Sequence, residues 1–270
     1  MSRPPDREEA RKLWNEVPCG SQGGGLAILT EGSREWFDEV ARLRYEVSDP
    51  WLVTRVPWGE FAGRSLLEIG HGLGTDLVRF ARHGAVVHGI DITERHHRLA
   101  QANLASHGFT GDLRFCDAAA ICHPTNTFDA VYSMGVLHHA QDTEACLNEV
   151  HRVLKPGGTL LVGLYHQHSV FHYQKVAIQG IFGGKLFRIG YRGLLATIEQ
   201  GSDGINVVPT VRLFSRSRLR RALARFSSVD IVTDHFREDQ LAFIGPHLPS
   251  SWRPWIAAQW GWYVFARATK

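Results

Sequence analysis

Ser65-Leu66-Leu67-Glu68-Ile69-Gly70-His71-Gly72-Leu73-Gly74-Thr75-Asp76 is the stretch from which the architecture can be read. A short apolar run ends in glycines at 70, 72 and 74, and helical spacing follows at 76–83. Such a run, closed by a turn signal, predicts a buried strand. Glycine permits a tight turn and a close backbone approach to a ligand. The helix start behind it offers free N–H groups.

Downstream the same alternation repeats. Strands are predicted at 85–90, 113–116, 128–133 and 159–165, with helices at 94–107 and 143–154 between them. Gly108 reads as a C-cap and Asp142 as an N-cap. Lys155-Pro156-Gly157-Gly158 stops the second of these helices and turns the chain into the fifth strand. A helix at 218–225 and strands at 229–233 and 262–268 close the pattern. Strands alternating with helices predict a parallel, doubly wound sheet. Right-handed crossovers then gather the strand ends and their loops along one edge.

Upstream, 8–16 and 34–47 read as amphipathic helices separated by a glycine-rich break at 20–25. The expected organisation is therefore an N-terminal helical cap (1–60), an α/β core (61–165), a lid insertion rich in Gly, His and aromatics (166–215), and a C-terminal return to the core sheet (216–270). Loops at a sheet edge normally carry substrate contacts, which is why the insertion is read as a lid.

The 270 residues are enough for a sizeable core, and 44% hydrophobic with 21% charged is an ordinary globular balance. A formal charge of +3 is too small to argue for nucleic acid. The four cysteines, Cys19, Cys116, Cys122 and Cys146, show neither CxxC pairing nor Cys/His metal spacing. The N-terminal residues are charged and lack an apolar signal core. No run approaches the roughly 18 apolar residues of a membrane span. Reduced thiols, a cytoplasmic location, no structural metal and a monomer or homodimer are the expectations.

A glycine loop alone is a weak signal, because dinucleotide enzymes use one too. Here the third glycine is Gly74, with Thr at 75 where the dinucleotide fingerprint has its glycine. Glu68 also lies where a carboxylate would repel a pyrophosphate. A nucleoside ligand with an ammonium and no phosphate, such as S-adenosylmethionine (SAM), suits the loop better. Asp91 ends the second strand, where a carboxylate can accept from both ribose hydroxyls; the alternative is a helix-capping aspartate. Asp117, ending the third strand, reads either as an adenine contact, with the Ala118 N–H beside it, or as a turn residue.

LLEIGHGLGTD at 66–76, VHGIDIT at 87–93, FCDAAA at 115–120, FDAVYSMGVLHHA at 128–140 and EVHRVLKPGG at 149–158 resemble the SAM-binding motifs of class I methyltransferases, in particular the ubiquinone/menaquinone-biosynthesis group. The resemblance covers 64–165. It implies a Rossmann-like, seven-stranded, mostly parallel sheet with its last strand antiparallel and helices on both faces. It also implies SAM as cofactor, S-adenosylhomocysteine as product, and a site built from Glu68, Gly70, His71, Gly72, Gly74, Asp91, Ile92, Asp117, Ala118, Ser133 and Met134. The family often has Cys where this chain has His71. More weakly, 14–21, 164–169 and 261–270 look like a bacterial subgroup with no uniform substrate.

Methyl transfer from a sulfonium needs the acceptor about 3–3.5 Å from the methyl carbon and water excluded. A base is needed only if the acceptor loses a proton. His138 and His139 follow the fourth strand and are the candidate bases, or a packing pair that starts a helix. Tyr165, His166 and His168, past the fifth strand, are candidate acceptor contacts or simply the start of the lid; His172 and Tyr173 lie near. Tyr132-Ser133-Met134-Gly135 lacks the Asn/Asp-Pro-Pro-aromatic turn of resembling amino-group methyltransferases. Pro18-Cys19 is far from where cytosine methyltransferases carry their nucleophile. Arg212, Arg216, Arg218, Arg220, Arg221 and Arg225 read either as a nucleic-acid face or, as is commoner on a short helix, as a solvated one. Trp14, Trp36, Tyr45, Trp51 and Trp58 either cover an apolar acceptor or pack the cap on the sheet.

The expected activity is methyl transfer to O, C, N or S of an apolar or aromatic small molecule. A noncatalytic SAM-binding scaffold is the alternative. A nicotinamide oxidoreductase is a third reading, disfavoured by the glycine spacing.

Overall fold

The computed structural model describes residues 7–16, 20–200, 210–241 and 245–270. Pro18 and Cys19, and 201–209 of the expected lid, lie outside the described residues.

Seven strands form one sheet: β1 (Ser65–Ile69), β2 (Val86–Asp91), β3 (Asp112–Phe115), β4 (Phe128–Met134), β5 (Leu154–Tyr165), β6 (Ser228–Asp234) and β7 (Tyr263–Thr269), in the order β3-β2-β1-β4-β5-β7-β6. β1 to β5 pair in parallel, and β7 runs antiparallel to both β5 and β6. This is the Rossmann-like arrangement that the motifs imply. The chain leaves β1 toward β2 and β3, then returns to β4 on the other side of β1. That reversal opens a crevice at the carboxyl ends of β1 and β4.

Alternation along the strands gives the sheet two apolar faces. Leu67, Ile69, Val131, Leu160 and Val162 pack with Leu147 and Val150 of α6 (Thr143–Val153) and Leu219 of α9 (Arg216–Ala222). On the opposite face, Leu66, Ala130, Tyr132 and Leu161 meet Leu77 and Phe80 of α4 (Thr75–Arg82) and Leu104 of α5 (Glu94–Ser106). Ahead of β1, Leu52 of α3 (Leu52–Arg55) and Val56, Trp58 and Phe61 after it are buried in the same cluster; α1 (Arg7–Glu16) lies further upstream.

Several predicted boundaries move. The fifth strand begins at Leu154 instead of 159: Leu154 pairs with Phe128 and Thr159 with Ala130, so 155–158 bulges out of an otherwise continuous ladder. Lys155 holds the bulge through an ion pair to Asp129 at 2.9 Å. The predicted helix 34–47 is α-helical only over Arg34–Arg42, α2, and continues as a wider π-helical turn over Leu43–Ser48. The helix predicted at 218–225 is α9, started two residues earlier by the Ser215 side chain, which accepts from the Arg218 N–H. Asp142 caps α6, accepting from the Ala145 N–H at 3.0 Å.

After β5 the chain forms the short α7 (Val170–Gln174), a π-helical stretch over Lys175–Phe182, and α8 (Lys185–Gln200), which kinks at Gly190. Phe214 then returns beside the end of β5, exchanging hydrogen bonds with Tyr165 and Gln167.

Candidate functional site

β1 delivers Glu68 to the crevice, and the loop after it turns on two glycines that no other residue could replace cheaply. Gly70 has φ of 70°, and a Cβ there would lie 2.5 Å from Val136 Cγ2. Gly74 has φ of 73°, with Ala100 Cβ of α5 at 3.0 Å from its missing Cβ. Left-handed backbone and close approach both select glycine. Beside Gly72 there is open space. The Glu68 side chain is only 4% exposed, and its Oε2 has no hydrogen-bond partner. Burial, with the negative charge of Asp76 adding to it, pushes its carboxyl well above the usual range.

Asp91 closes the other side of the loop. One carboxylate oxygen accepts from the Gly72 N–H at 3.2 Å and meets His96 Nδ1 at 3.3 Å. Its other oxygen accepts from the Thr93 N–H and hydroxyl, both at 2.9 Å. Burial disfavours its charge, but His96, His71 and the Thr93 N–H outweigh that and bring the carboxyl down to about 2. His71 is buried against Asp91, its Nδ1 facing the Gly72 carbonyl and its Nε2 without a partner. Burial pushes its imidazole down, so it stays neutral at neutral pH.

The remaining expected cofactor residues follow the strand ends. Ile92 and Ala118 are half-buried just past β2 and β3. Asp117 Oδ1 accepts from the Ala119 N–H at 2.7 Å, as a turn residue would. Ser133 is buried, donating to the Ile69 carbonyl at 3.2 Å, and Met134 packs its sulfur over Gly163. Cys116, next to Asp117, is held up at about 12, mainly by burial, which disfavours the thiolate.

On the acceptor side the structure gathers rings. His138 is fully buried, both its ring nitrogens lack a partner, and burial drives its imidazole well below the ordinary range. Its ring lies 3.8 Å from that of Tyr165, which stacks at 4.3 Å on Trp262. His139 Nδ1 sits 2.8 Å from the Thr210 carbonyl, and its ring is 5.2 Å from Trp14. His166 faces inward, its Nδ1 bonded to the Gly261 carbonyl, and burial lowers it to about 4. His168 is exposed and pairs with the Tyr173 hydroxyl. His172 bridges the Gln167 carbonyl and the Tyr191 hydroxyl, a structural tie.

Of the five aromatics in the N-terminal layer, only Trp14 meets a candidate acceptor residue. Trp36 and Trp58 are core, and Trp51 packs on Tyr263 and Phe265. Tyr45 does something sequence reasoning missed. Its hydroxyl donates to Asp76 at 2.6 Å, and Arg44 grips the same carboxylate through two bonds of 2.8 and 2.6 Å. Tyr132 of β4 adds a second hydroxyl at 2.8 Å. Asp76 thus anchors the N-terminal layer to the helix behind the glycine loop, within electrostatic reach of Glu68. Nothing in the spacing of 44 and 76 signals this pair. Half of the predicted arginine face also has internal work: Arg212 bonds the Ala140 and Gln141 carbonyls, Arg216 the Thr233 hydroxyl, and Arg218 the Leu213 carbonyl. Among the described residues no three His, Cys, Asp or Glu stand where they could hold a metal, and no helix is long and apolar enough to cross a membrane.

Residues 67–162 match the family model described as a methyltransferase domain. The chain is 31% identical over 151 residues to the ubiquinone biosynthesis O-methyltransferase of Thiobacillus denitrificans, covering 53% of this chain and 63% of that protein. It is 34% identical over 160 residues to the demethylmenaquinone methyltransferase of Tropheryma whipplei, covering 57% and 58%. These matches therefore span less than two thirds of either relative. In fold, the chain is similar to a SAM-dependent methyltransferase of Thermotoga maritima described as a possible histamine N-methyltransferase: TM-score 0.54, 20% identity, covering 87% of this chain and 93% of that one.

Proposed function

We propose that this chain, whose residues 67–162 form a methyltransferase domain of the class I SAM-dependent type, transfers a methyl group from SAM to a ring-bearing or apolar small molecule. One observation carries the cofactor assignment: a buried carboxylate oxygen of Glu68 without a partner, at the mouth of a loop with open space beside Gly72. A cation satisfies such a group, and an ammonium is the cation the methionyl end of SAM provides. The residues fit the cofactor. Glu68 would take the ammonium, Asp91 the ribose hydroxyls, and Asp117 with the Ala118 N–H the adenine edge. Gly70, His71, Gly72, Gly74, Ile92, Ser133 and Met134 would shape the slot.

SAM, when bound, supplies an electrophilic methyl on a sulfonium. What the chain must add is orientation and exclusion of water. Tyr165, sandwiched between His138 and Trp262 and largely buried, can present only its edge to an acceptor, with His166 and His168 at its margin. Of the two candidate bases, the geometry favours His139. It is half-buried where His138 is wholly buried, and its Nδ1–H donating to the Thr210 carbonyl fixes the ring. His138, wholly buried, is better suited to hold Tyr165. The two relatives, named as a ubiquinone biosynthesis O-methyltransferase and a demethylmenaquinone methyltransferase, support a quinone-like, ring-bearing acceptor. A cytoplasmic location is proposed on the same footing, and 166–215 is proposed as the lid over this acceptor site.

Calorimetry with S-adenosylhomocysteine tests the cofactor, and mass spectrometry of a cell extract incubated with enzyme and methyl-labelled SAM tests the activity. Binding that Asp91→Ala weakens at least tenfold, plus label in a small-molecule fraction, is expected. No binding by the wild type would sink the proposal; binding without label would favour a scaffold.

A further inference from the structure

We propose that the tip of the helical hairpin at 175–200 docks on an anionic lipid surface. Its two arms pack through Gly180, whose missing Cβ would lie 2.9 Å from Leu194, and Leu194, Leu195 and Ala196 are buried behind it. The outer side is apolar and yet exposed. Phe182 is 86% and Phe187 79% exposed, and Ile178, Ile181, Ile189 and Tyr191 lie open around them. Phe182 and Phe187 flank Gly183-Gly184, so both rings stand at the turn of the hairpin. Scattered exposed apolar residues are ordinary; a cluster of this size at one tip marks a surface made for contact.

Charge decides the occupant. From His166 to Ile198 the sequence holds no Asp and no Glu, while Lys185, Arg188 and Arg192 fall within the same tip. Among the described residues none of these three cations is in an ion pair. Two protruding rings ringed by unpaired cations complement the lipid interface, where aromatics sink below the headgroups and Lys or Arg remain at the phosphates. With no helix able to span a bilayer among the described residues, the contact is peripheral. α7 joins the hairpin to the end of β5, so docking would turn the Tyr165 edge toward the bilayer. That orientation rests on the acceptor reading above, whereas the docking does not.

Co-sedimentation of the full chain with phosphatidylcholine vesicles, with or without about a third phosphatidylglycerol, tests this. The wild type is expected to pellet with the anionic vesicles and much less with the neutral ones. Phe182→Ser/Phe187→Ser and Arg188→Gln/Arg192→Gln should each weaken that partition about tenfold. Circular dichroism and S-adenosylhomocysteine binding should be unchanged in both, which separates lost docking from lost folding. A wild type left in the supernatant with both vesicles would overturn the proposal. So would full retention of binding by both double variants, or a dimer in light scattering that the phenylalanine variant dissociates without any vesicle capture. A wild type that pellets normally but binds no S-adenosylhomocysteine would overturn the proposed activity alone.

Discussion

Glu68 and Asp91 are two buried carboxylates on neighbouring strand ends, and their surroundings drive them in opposite directions. Glu68, unpartnered at one oxygen, holds its proton to higher pH than a free carboxyl does. Below the unfolded carboxyl range both folded and unfolded chains are protonated and nothing is lost. As pH rises past it, the unfolded chain ionises while folded Glu68 resists, so this residue lowers stability at neutral pH. Glu68→Gln should therefore raise the thermal midpoint with no cofactor added, while weakening S-adenosylhomocysteine at least tenfold. Because the ammonium needs the ionised carboxylate, wild-type affinity should climb with pH as Glu68 ionises, and the climb should vanish in E68Q. An unchanged pH profile in calorimetry would remove Glu68 from the ligand site. Asp91 has the reverse sign. Lowered to about 2, it contributes stability above the ordinary carboxyl range that is lost as pH falls through the folded value. Asp91→Asn should cost about 2 kcal/mol in urea unfolding at neutral pH, the difference shrinking toward pH 2.

At the level of elements, the glycine loop does not stand alone behind the sheet. α4, which follows it, is tied through Asp76 to the π-helical turn after α2 by the Arg44 and Tyr45 side chains. Burial opposes the Arg44 charge, yet Asp76 more than offsets it and keeps the guanidinium ionised. Removing the half-buried Arg44 leaves the buried Asp76 carboxylate without its cation. Arg44→Met should lower stability by roughly 3 kcal/mol in chemical denaturation. It should also raise the Glu68 carboxyl further, because Arg44 is one of the charges that lowers it, and so shift the rise of cofactor affinity to higher pH. A stability loss with no change in that pH dependence would confine Arg44 to holding the layer in place. The same element contacts explain why the predicted helix 34–47 changes type at Leu43: the wider π turn carries Arg44 and Tyr45, the two residues that meet Asp76.

Across the whole molecule the site is a seam between layers. The loop and Glu68 come from the sheet, Asp76 from α4, Arg44 and Trp14 from the N-terminal layer, and Tyr165 with His139 from the edge that the hairpin leaves. A ligand held at such a seam stabilises every layer it touches. Saturation with S-adenosylhomocysteine at about 100 times its Kd should add about 2.7 kcal/mol, a rise of roughly 5 °C or more in thermal midpoint. A midpoint that does not move would mean that the crevice is not the binding site.

Much of this frame was legible in the residues alone. The strand ending at Ile69, the glycine turn, the acidic ends at Asp91 and Asp117, and the capping Asp142 are local signals: alternation, turn propensity and spacing act over a few neighbouring positions. The strand ladder confirmed them within a few residues, and missed boundaries such as Leu154 arose where pairing with Phe128 and the Lys155–Asp129 contact extended a strand through a turn sequence. Contacts between distant positions decided the rest. Which carboxylate keeps an unpartnered oxygen, that Asp76 is claimed by Arg44, that Trp14 reaches His139 while Trp36 and Trp58 sink into the core, and that two phenylalanines are left outside at the hairpin tip all depend on how separate layers pack. Sequence determined the class of sheet and the place of the glycine loop, because periodicity and turn chemistry are short-range. Tertiary structure alone decided which charges are paired, buried or exposed, because burial and partnership belong to the packed layers and not to any one stretch of chain.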